Sequence, residues 1–171
     1  MSEQYSNSKV GDIVVDISDS KLEYDTQTAL KKACDLIAKF EGCKLESYKC
    51  PAGIWTIGYG HTFGVKSGDI ISQSQAEDFL MNDVRTFFNF VIVEVSKICN
   101  ESQLIALTSF AFNVGVENLR KSTLLKVVKQ NPRNFTAIRK EFMRWVYADG
   151  KILNGLKKRR SAEADFFEGK S

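Results

Sequence analysis

From Thr26 onward, apolar residues recur at helical spacing. Leu30, Ala33, Cys34 and Ile37 share one face at i, i+3/i+4 steps, with Glu41 next in register and Gly42 as a stop. The pattern predicts a helix whose last turn aims a carboxyl group at whatever its apolar face covers. Residues 45–71 change character: "LESY", "IWTIGYG" and "DIIS" are short β-like pieces broken by Pro51, Gly53, Gly58, Gly60, Gly64 and Gly68. Such punctuation predicts a small, tightly turned sheet. Helical spacing returns with Ser74-x-x-Glu77 as a capping box, and Ala76, Leu80, Val84, Phe87, Phe88, Val91 and Val95 make a long apolar stripe. Shorter helices are predicted at 102–112, 122–129, 134–147 and 156–168, separated by Gly115, "NPRN", "ADG" and "NG". The outline is α+β: a helix, a small sheet lobe, a long connecting helix and a helical lobe.

Composition keeps this picture and adds a polarity to it. The chain has 171 residues, 43% hydrophobic and 11% aromatic, enough for one domain with a real core. Residues 1–27 hold two basic and six acidic residues, a net −4 that leaves +7 on the rest of a chain whose total is +3. They read as an acidic extension, with "DIVVDI" (12–17) as a short strand, ahead of a domain over 28–171. Between Arg120 and Arg160 stand thirteen Lys/Arg and two acids. A basic half implies attraction to a polyanion, whether nucleic acid, an anionic membrane or a bacterial wall. No stretch is long and apolar enough to span a membrane, and the N-terminus lacks the basic-then-apolar order of a signal peptide. Four cysteines without a CxxC pair, beside a single histidine, suit neither a disulfide scaffold nor a zinc site, and no metal or other cofactor is expected.

"FEGCKLESYKCPAGIWTIGYGHT" (40–62) resembles the signature of the phage-type lysozymes (endolysins, glycoside hydrolase family 24), in outline E-G-x-x-L-x-x-Y-x-D-x-x-G-x-x-T-I-G-Y-G-H-T. "ALTSFAFNVG" (106–115), "STLLK" (122–126) and "WVYADGKILNGLKKRRSAEADFF" (145–167) resemble later motifs of that family, in order, so the likeness covers about residues 28–168. The resemblance implies a two-lobed lysozyme-like fold and a muramidase that cuts the β-1,4 bond between N-acetylmuramic acid and N-acetylglucosamine. Its acid–water–threonine trio falls on Glu41, Cys50 and Thr56. Phe112, Asn113, Thr62 and Thr123 align with sugar-contacting positions, and His61 with a structural residue near the cleft floor, here expected to bond Asp69 or Asp83. Host lysis by a phage or prophage is the implied context: a monomer made in the bacterial cytoplasm, acting on peptidoglycan in the periplasm, with no nucleic-acid partner.

Physical chemistry supports the same roles. Glycoside cleavage needs a proton donor for the leaving oxygen and a base that activates water on the other face of the sugar. A glutamate beside apolar groups such as Trp55 or Phe40 has its acid form favoured by desolvation. Thr56 carries a hydroxyl on a stiff stem suited to holding water. The departure is Cys50, where the family pattern has Asp: a thiol of pKa ~8.5 is mostly neutral at pH 7. It can act as a thiolate helped by cations such as Lys49, as a neutral water holder, or as a nucleophile; the first two are favoured here. Cys43, seven residues earlier, makes a Cys43–Cys50 disulfide conceivable if the Cα atoms approach within ~7 Å, which would consume the thiol and make activity redox-dependent. Cys34 and Cys99 read as core residues. Two rival readings remain at this level: a non-catalytic wall-binding module, and a lysozyme-like secreted effector delivered by its acidic segment.

Overall fold

The computed structural model describes residues 25–170, so the "DIVVDI" strand lies outside the described residues. Helix α1 (Thr26–Ala38) starts at Asp25, whose carboxylate accepts hydrogen bonds from the Gln27 and Thr28 amides and the Thr28 hydroxyl. Those three donors hold the Asp25 carboxyl below its ordinary pKa, the Thr28 hydroxyl foremost. The helix ends three residues before Glu41, earlier than the periodicity predicts. Phe40 N–H bonds the Ile37 carbonyl at 2.9 Å, a tightened last turn, and Glu41 N–H reaches the same oxygen at 3.2 Å. Glu41 therefore sits on the turn that leaves the helix, opening onto the next element.

That element is a two-stranded antiparallel sheet, β1 (Lys44–Lys49) and β2 (Trp55–Gly58). Tyr48 pairs with Thr56 and Lys49 with Trp55, while Lys44 pairs with Gly58, so β1 carries a bulge opposite β2. "DIIS" adds a single bridge, Ile70 to Glu46, rather than a strand. Gly58 joins the lobe to the long helix α2 (Gln73–Val95): its φ is +62°, and a Cβ there would stand 3.3 Å from Ala76 Cβ. α2 buries Ala76, Leu80, Val84, Phe88, Val91 and Val95 of the predicted stripe, while Phe87 is only half-buried. Its capping box lies two residues earlier than expected, Ser72 with Gln75, because those two side chains close the reciprocal bonds (3.1 and 2.8 Å). Glu77 instead accepts from Gln73.

The helical lobe wraps α3 (Glu101–Val114), which is apolar over most of its surface and buried from Gln103 to Ala111. Around it stand α4 (Val116–Lys121), which the sequence reading did not foresee, α5 (Thr123–Gln130), α6 (Phe135–Phe142) and α7 (Asn154–Phe167). Phe110 meets Phe142 and Trp145 edge-on at centroid distances of 5.5 and 5.4 Å. Full burial of such a ring contributes roughly 1.5–3 kcal/mol. Where a helix to 147 is predicted, α6 stops at Phe142 and a hairpin follows, β3 (Tyr147–Ala148) and β4 (Lys151–Ile152). Asp149 (φ +49°) and Gly150 (φ +73°) supply the two left-handed residues that a tight hairpin turn demands. Among the described residues, no helix is long and apolar enough to cross a membrane.

Candidate active site

Glu41 reaches a cleft lined also by Phe40, Cys43, Tyr48, Tyr59 and Gly60. Its Oε1 lies 2.5 Å from Arg159 Nη1, an arginine on α7 that is 4% exposed. Arg159 is held in turn by Glu163 (Nε–Oε1, 3.1 Å) and by the Ser109 carbonyl (3.2 Å). Glu163 is wholly buried; it accepts from Ser109 Oγ at 2.8 Å and from Arg160, whose guanidinium also donates to the Trp145 carbonyl and the Asn113 amide oxygen. A continuous chain of charge-assisted bonds thus runs from the helical core to the Glu41 carboxylate. Burial pushes the Glu163 carboxyl pKa up while the two guanidiniums pull it down, and burial lowers that of Arg160. Nothing in the sequence reading anticipated this. The available signal was spacing, since Arg159 and Arg160 stand four and three residues before Glu163 on one helix. The apolar setting expected for Glu41 is met by Phe40 alone: Trp55 lies on β2 with the Lys49 ammonium 5.4 Å over its ring.

Cys50 opens the β1–β2 turn, with its N–H on the Ile54 carbonyl (3.0 Å) and its own carbonyl taking Gly53 N–H (2.8 Å). The backbone N–H groups of Ile54 and then Ala52, followed by the Thr56 hydroxyl, lower the thiol pKa below its ordinary value. Lys49 has no part in that lowering, contrary to the expectation. Thr56 is buried, bonds the Ile54 carbonyl at 3.0 Å and is the cross-strand partner of Tyr48, which puts it on the cleft side of the sheet. The Cys50 N–H and the Thr56 hydroxyl both donate to the Ile54 carbonyl, each at 3.0 Å, so the structure places the two residues on one turn. It does not bring Cys43 to Cys50. Both are free thiols at opposite ends of β1, whose paired ends alone span ~10 Å at 3.3 Å per residue, beyond disulfide reach unless the strand is rearranged. Cys34 and Cys99 are buried as expected, and burial raises their thiol pKa values to about 11 and about 12.

Gly60 also lines a second cleft, with His61, Thr62, Phe63, Phe87 and Phe112, so the two clefts meet at Gly60. Phe112 meets Phe87 edge-on at 5.3 Å, and Thr62 is exposed in the second cleft. His61 is fixed by Asp83 (Nδ1, 2.9 Å), by the Phe63 carbonyl (Nε2, 3.0 Å) and by stacking on Phe79 at 4.5 Å. Asp69, the other candidate partner, accepts from the Lys66 amide instead. Asn113 is exposed with its amide oxygen engaged by Arg160. Thr123 opens α5, exposed, and lines neither cleft.

The small sheet lobe and the helical lobe, with a glutamate held by an arginine at the cleft between them, make a fold of the lysozyme type. The comparisons agree. The family described as "Phage lysozyme" matches residues 38–163. The chain is 40% identical over 142 residues to an endolysin of Acyrthosiphon pisum secondary endosymbiont phage 1, covering 81% of this chain and 96% of that one. Two solved structures superpose closely. The endolysin of Escherichia coli O157:H7 phage FAHEc1 has TM-score 0.70 and 36% identity, over 80% and 90% of the two chains. The muramidase domain of SpmX from Asticcacaulis excentricus has TM-score 0.72 and 30% identity, over 79% and 93%. The chain belongs to the phage lysozyme family. It is a peptidoglycan-hydrolysing enzyme of the endolysin type.

Proposed function

We propose that Glu41 donates the proton to the glycosidic oxygen and that Cys50, with Thr56, activates the attacking water. The bond is the β-1,4 link between N-acetylmuramic acid and N-acetylglucosamine. The observation that carries this reading is the shared turn, where the Cys50 N–H and the Thr56 hydroxyl both donate to the Ile54 carbonyl; the Ile54 and Ala52 amides lower the thiol pKa there, which favours a thiolate where a carboxylate would otherwise serve. The thiolate accepts a proton from water, Thr56 orients that water, and the hydroxide attacks the anomeric carbon from the face opposite Glu41. Arg159 fixes the direction of the Glu41 carboxyl rather than touching substrate. Phe112, Thr62 and the amide nitrogen of Asn113 hold the sugars, and the exposed lysines of the basic half draw the enzyme to the anionic wall. Release of reducing ends from purified peptidoglycan tests the assignment: Glu41→Gln should lose at least ~10²-fold in rate. Full activity in that variant would remove Glu41 from the role.

Redox control belongs to the same proposal. Cys43 is exposed and Cys50 half-exposed, so an oxidised thiol-disulfide reagent such as glutathione disulfide can take two electrons from the pair, leaving two reduced thiols and a Cys43–Cys50 bond. Forming that bond requires β1 to leave β2 and removes the thiolate, so oxidation silences the enzyme. The check is wall clearing by oxidised and re-reduced protein, with Cys43→Ser as control. Equal rates in protein shown by mass to be oxidised would end the idea.

A further inference from the structure

A groove of about 350 Å³ opens where α3 begins, lined by Ile98, Asn100, Gln103, Pro132, Arg133 and Phe135. Its apolar walls face solvent: Ile98 is 43% and Phe135 38% exposed. The polar groups beneath them are already satisfied. Buried Gln103 donates to the Pro132 carbonyl at 2.8 Å and accepts from the Asn100 amide at 3.1 Å, and the Asn131 side chain holds the Arg133 amide at 3.0 Å. The walls are thus fixed before anything binds, and what the groove lacks is apolar contact and counter-charge. Arg133 and Lys97, the neighbour of Ile98 in sequence, are exposed and have no ion-pair partner among the described residues. The nearest acids along the chain, Glu94 and Glu101, are taken by Lys129 and Lys32. An occupant with aliphatic side chains and carboxylates fits.

The chain carries such a segment, and the fold delivers it to this end of the lobe. α1 and α3 run side by side in the same sense: Lys32 bonds Glu101 at the start of α3, and Glu41 reaches Ser109, further along, through Arg159. Asp25, seven residues or ~10 Å of helix before Lys32, therefore stands at the end where the groove opens, away from the Glu41 cleft. Residues 1–24 precede it and hold five acids against two bases, Lys9 and Lys21. Among them "DIVVDI" (12–17), when extended, sets Ile13, Val15 and Ile17 on one face and Asp12 and Asp16 on the other. The steps from Ile17 to Asp25 span up to ~26 Å, more than the ~10 Å of helix to be retraced. A groove this small binds weakly, and a tether this short supplies an effective concentration in the mM range, which favours the chain's own segment over a foreign one. We infer that residues 12–17 dock in the groove between Ile98 and Phe135 of the same chain, with Asp12 and Asp16 paired to Arg133 and Lys97. The acidic segment is thereby a built-in partner of the helical lobe, and its docking neutralises part of the basic half.

Nuclear magnetic resonance of the methyl-labelled full chain tests this. Overhauser contacts should join the methyl groups of Ile13, Val15 or Ile17 to the Phe135 ring. Ile98→Asp and Arg133→Glu, both surface changes, should each remove those contacts and leave the α3 resonances in place. Reversing the charges on both sides, Asp12→Lys and Asp16→Lys with Lys97→Glu and Arg133→Glu, should bring the contacts back. Random-coil shifts for residues 12–17 in wild type, or Phe135 contacts that survive both single variants, would overturn the inference. So would a reversed set that stays undocked, since the ion pairs would then play no part. Contacts seen only between differently labelled molecules in a mixed sample would put a second copy's segment in the groove and overturn docking within one chain.

Discussion

The two lobes hold their polar groups in opposite ways. In the sheet lobe, Cys50 and Thr56 depend on a turn and four residues of β2, and their partners are mostly backbone amides and carbonyls. In the helical lobe, Glu163, Arg159 and Arg160 are buried in the main core and satisfy one another. On the proposed assignment, the sheet lobe carries its reactive groups on little structure, and the helical lobe carries much structure around groups that hold others in place. Glu41 lies between them, its backbone on the turn after α1 and its carboxylate tied to α7. The proposed chemistry thus sits on a lobe with little core, and the direction of Glu41 is set from the lobe with the main core.

The strongest way to break this comparison is Glu163→Gln. It keeps the shape but leaves the buried Arg160 guanidinium without a counter-charge and Arg159 with Glu41 alone, so it should destabilise the fold by about 3–5 kcal/mol in urea unfolding. The sheet lobe has no comparable single point of failure. A loss below ~1 kcal/mol would mean that the network tolerates a neutral centre and is not what anchors the site.

Cys50→Asp sharpens the other half. If the anion at position 50 takes the proton from water, activity rises with pH as that group ionises. The thiol pKa is already lowered by the Ile54 and Ala52 amides, yet an Asp titrates near ~3.9 against ~8.5 for an ordinary thiol. The acid-side limb of the pH–rate profile should therefore move down by up to ~4 pH units in Cys50→Asp, while Cys50→Ser, which does not ionise, should be slow at every pH. An unmoved limb in Cys50→Asp would assign the titration to another group.

The contrast also explains what was legible in the sequence. The stripe from Ala76 to Val95 declares α2 because each residue reports its own burial by period. Glu41, Cys50 and Thr56 are singled out by a local motif whose members sit within sixteen residues, and Cys50 and Thr56 meet on one turn through the Ile54 carbonyl. Arg159 and Arg160 were lost among thirteen basic residues because a buried cation has the same letter as a solvated one. The spacing to Glu163 is the one local signal, and the tie of Arg159 to Glu41, 118 positions away, is not legible by period. Ser74–Glu77 and Ser72–Gln75 both fit a capping box, and tertiary position, not local pattern, selects between them. The hairpin was hidden because "ADG" reads as punctuation until its flanks are seen to pair.

The smallest effect concerns an ion cluster at the rim of the helical lobe, which gives the comparison its control. Arg139 bonds Glu168 at 2.7 Å and Asp165 at 2.5 Å, and both partners of Arg139 belong to the end of α7. Arg139 foremost, then Lys170, holds the Glu168 carboxyl below its ordinary pKa. A depressed folded pKa contributes stability that is fully present above the unfolded value of ~4.3 and is lost as pH falls through the lower folded value. Arg139 is partly solvated, so the contribution is at most ~1 kcal/mol. Glu168→Gln should cost about that at pH 7, and the gap between variant and wild type should close on acidification below pH ~4. High salt should narrow it as well, because a solvated pair is screened where the Glu163 network is not. A Glu168 effect as large and as salt-insensitive as that of Glu163→Gln would erase the distinction between rim and core. The anchoring of Glu41 would then be a property of charge density on α7 rather than of burial.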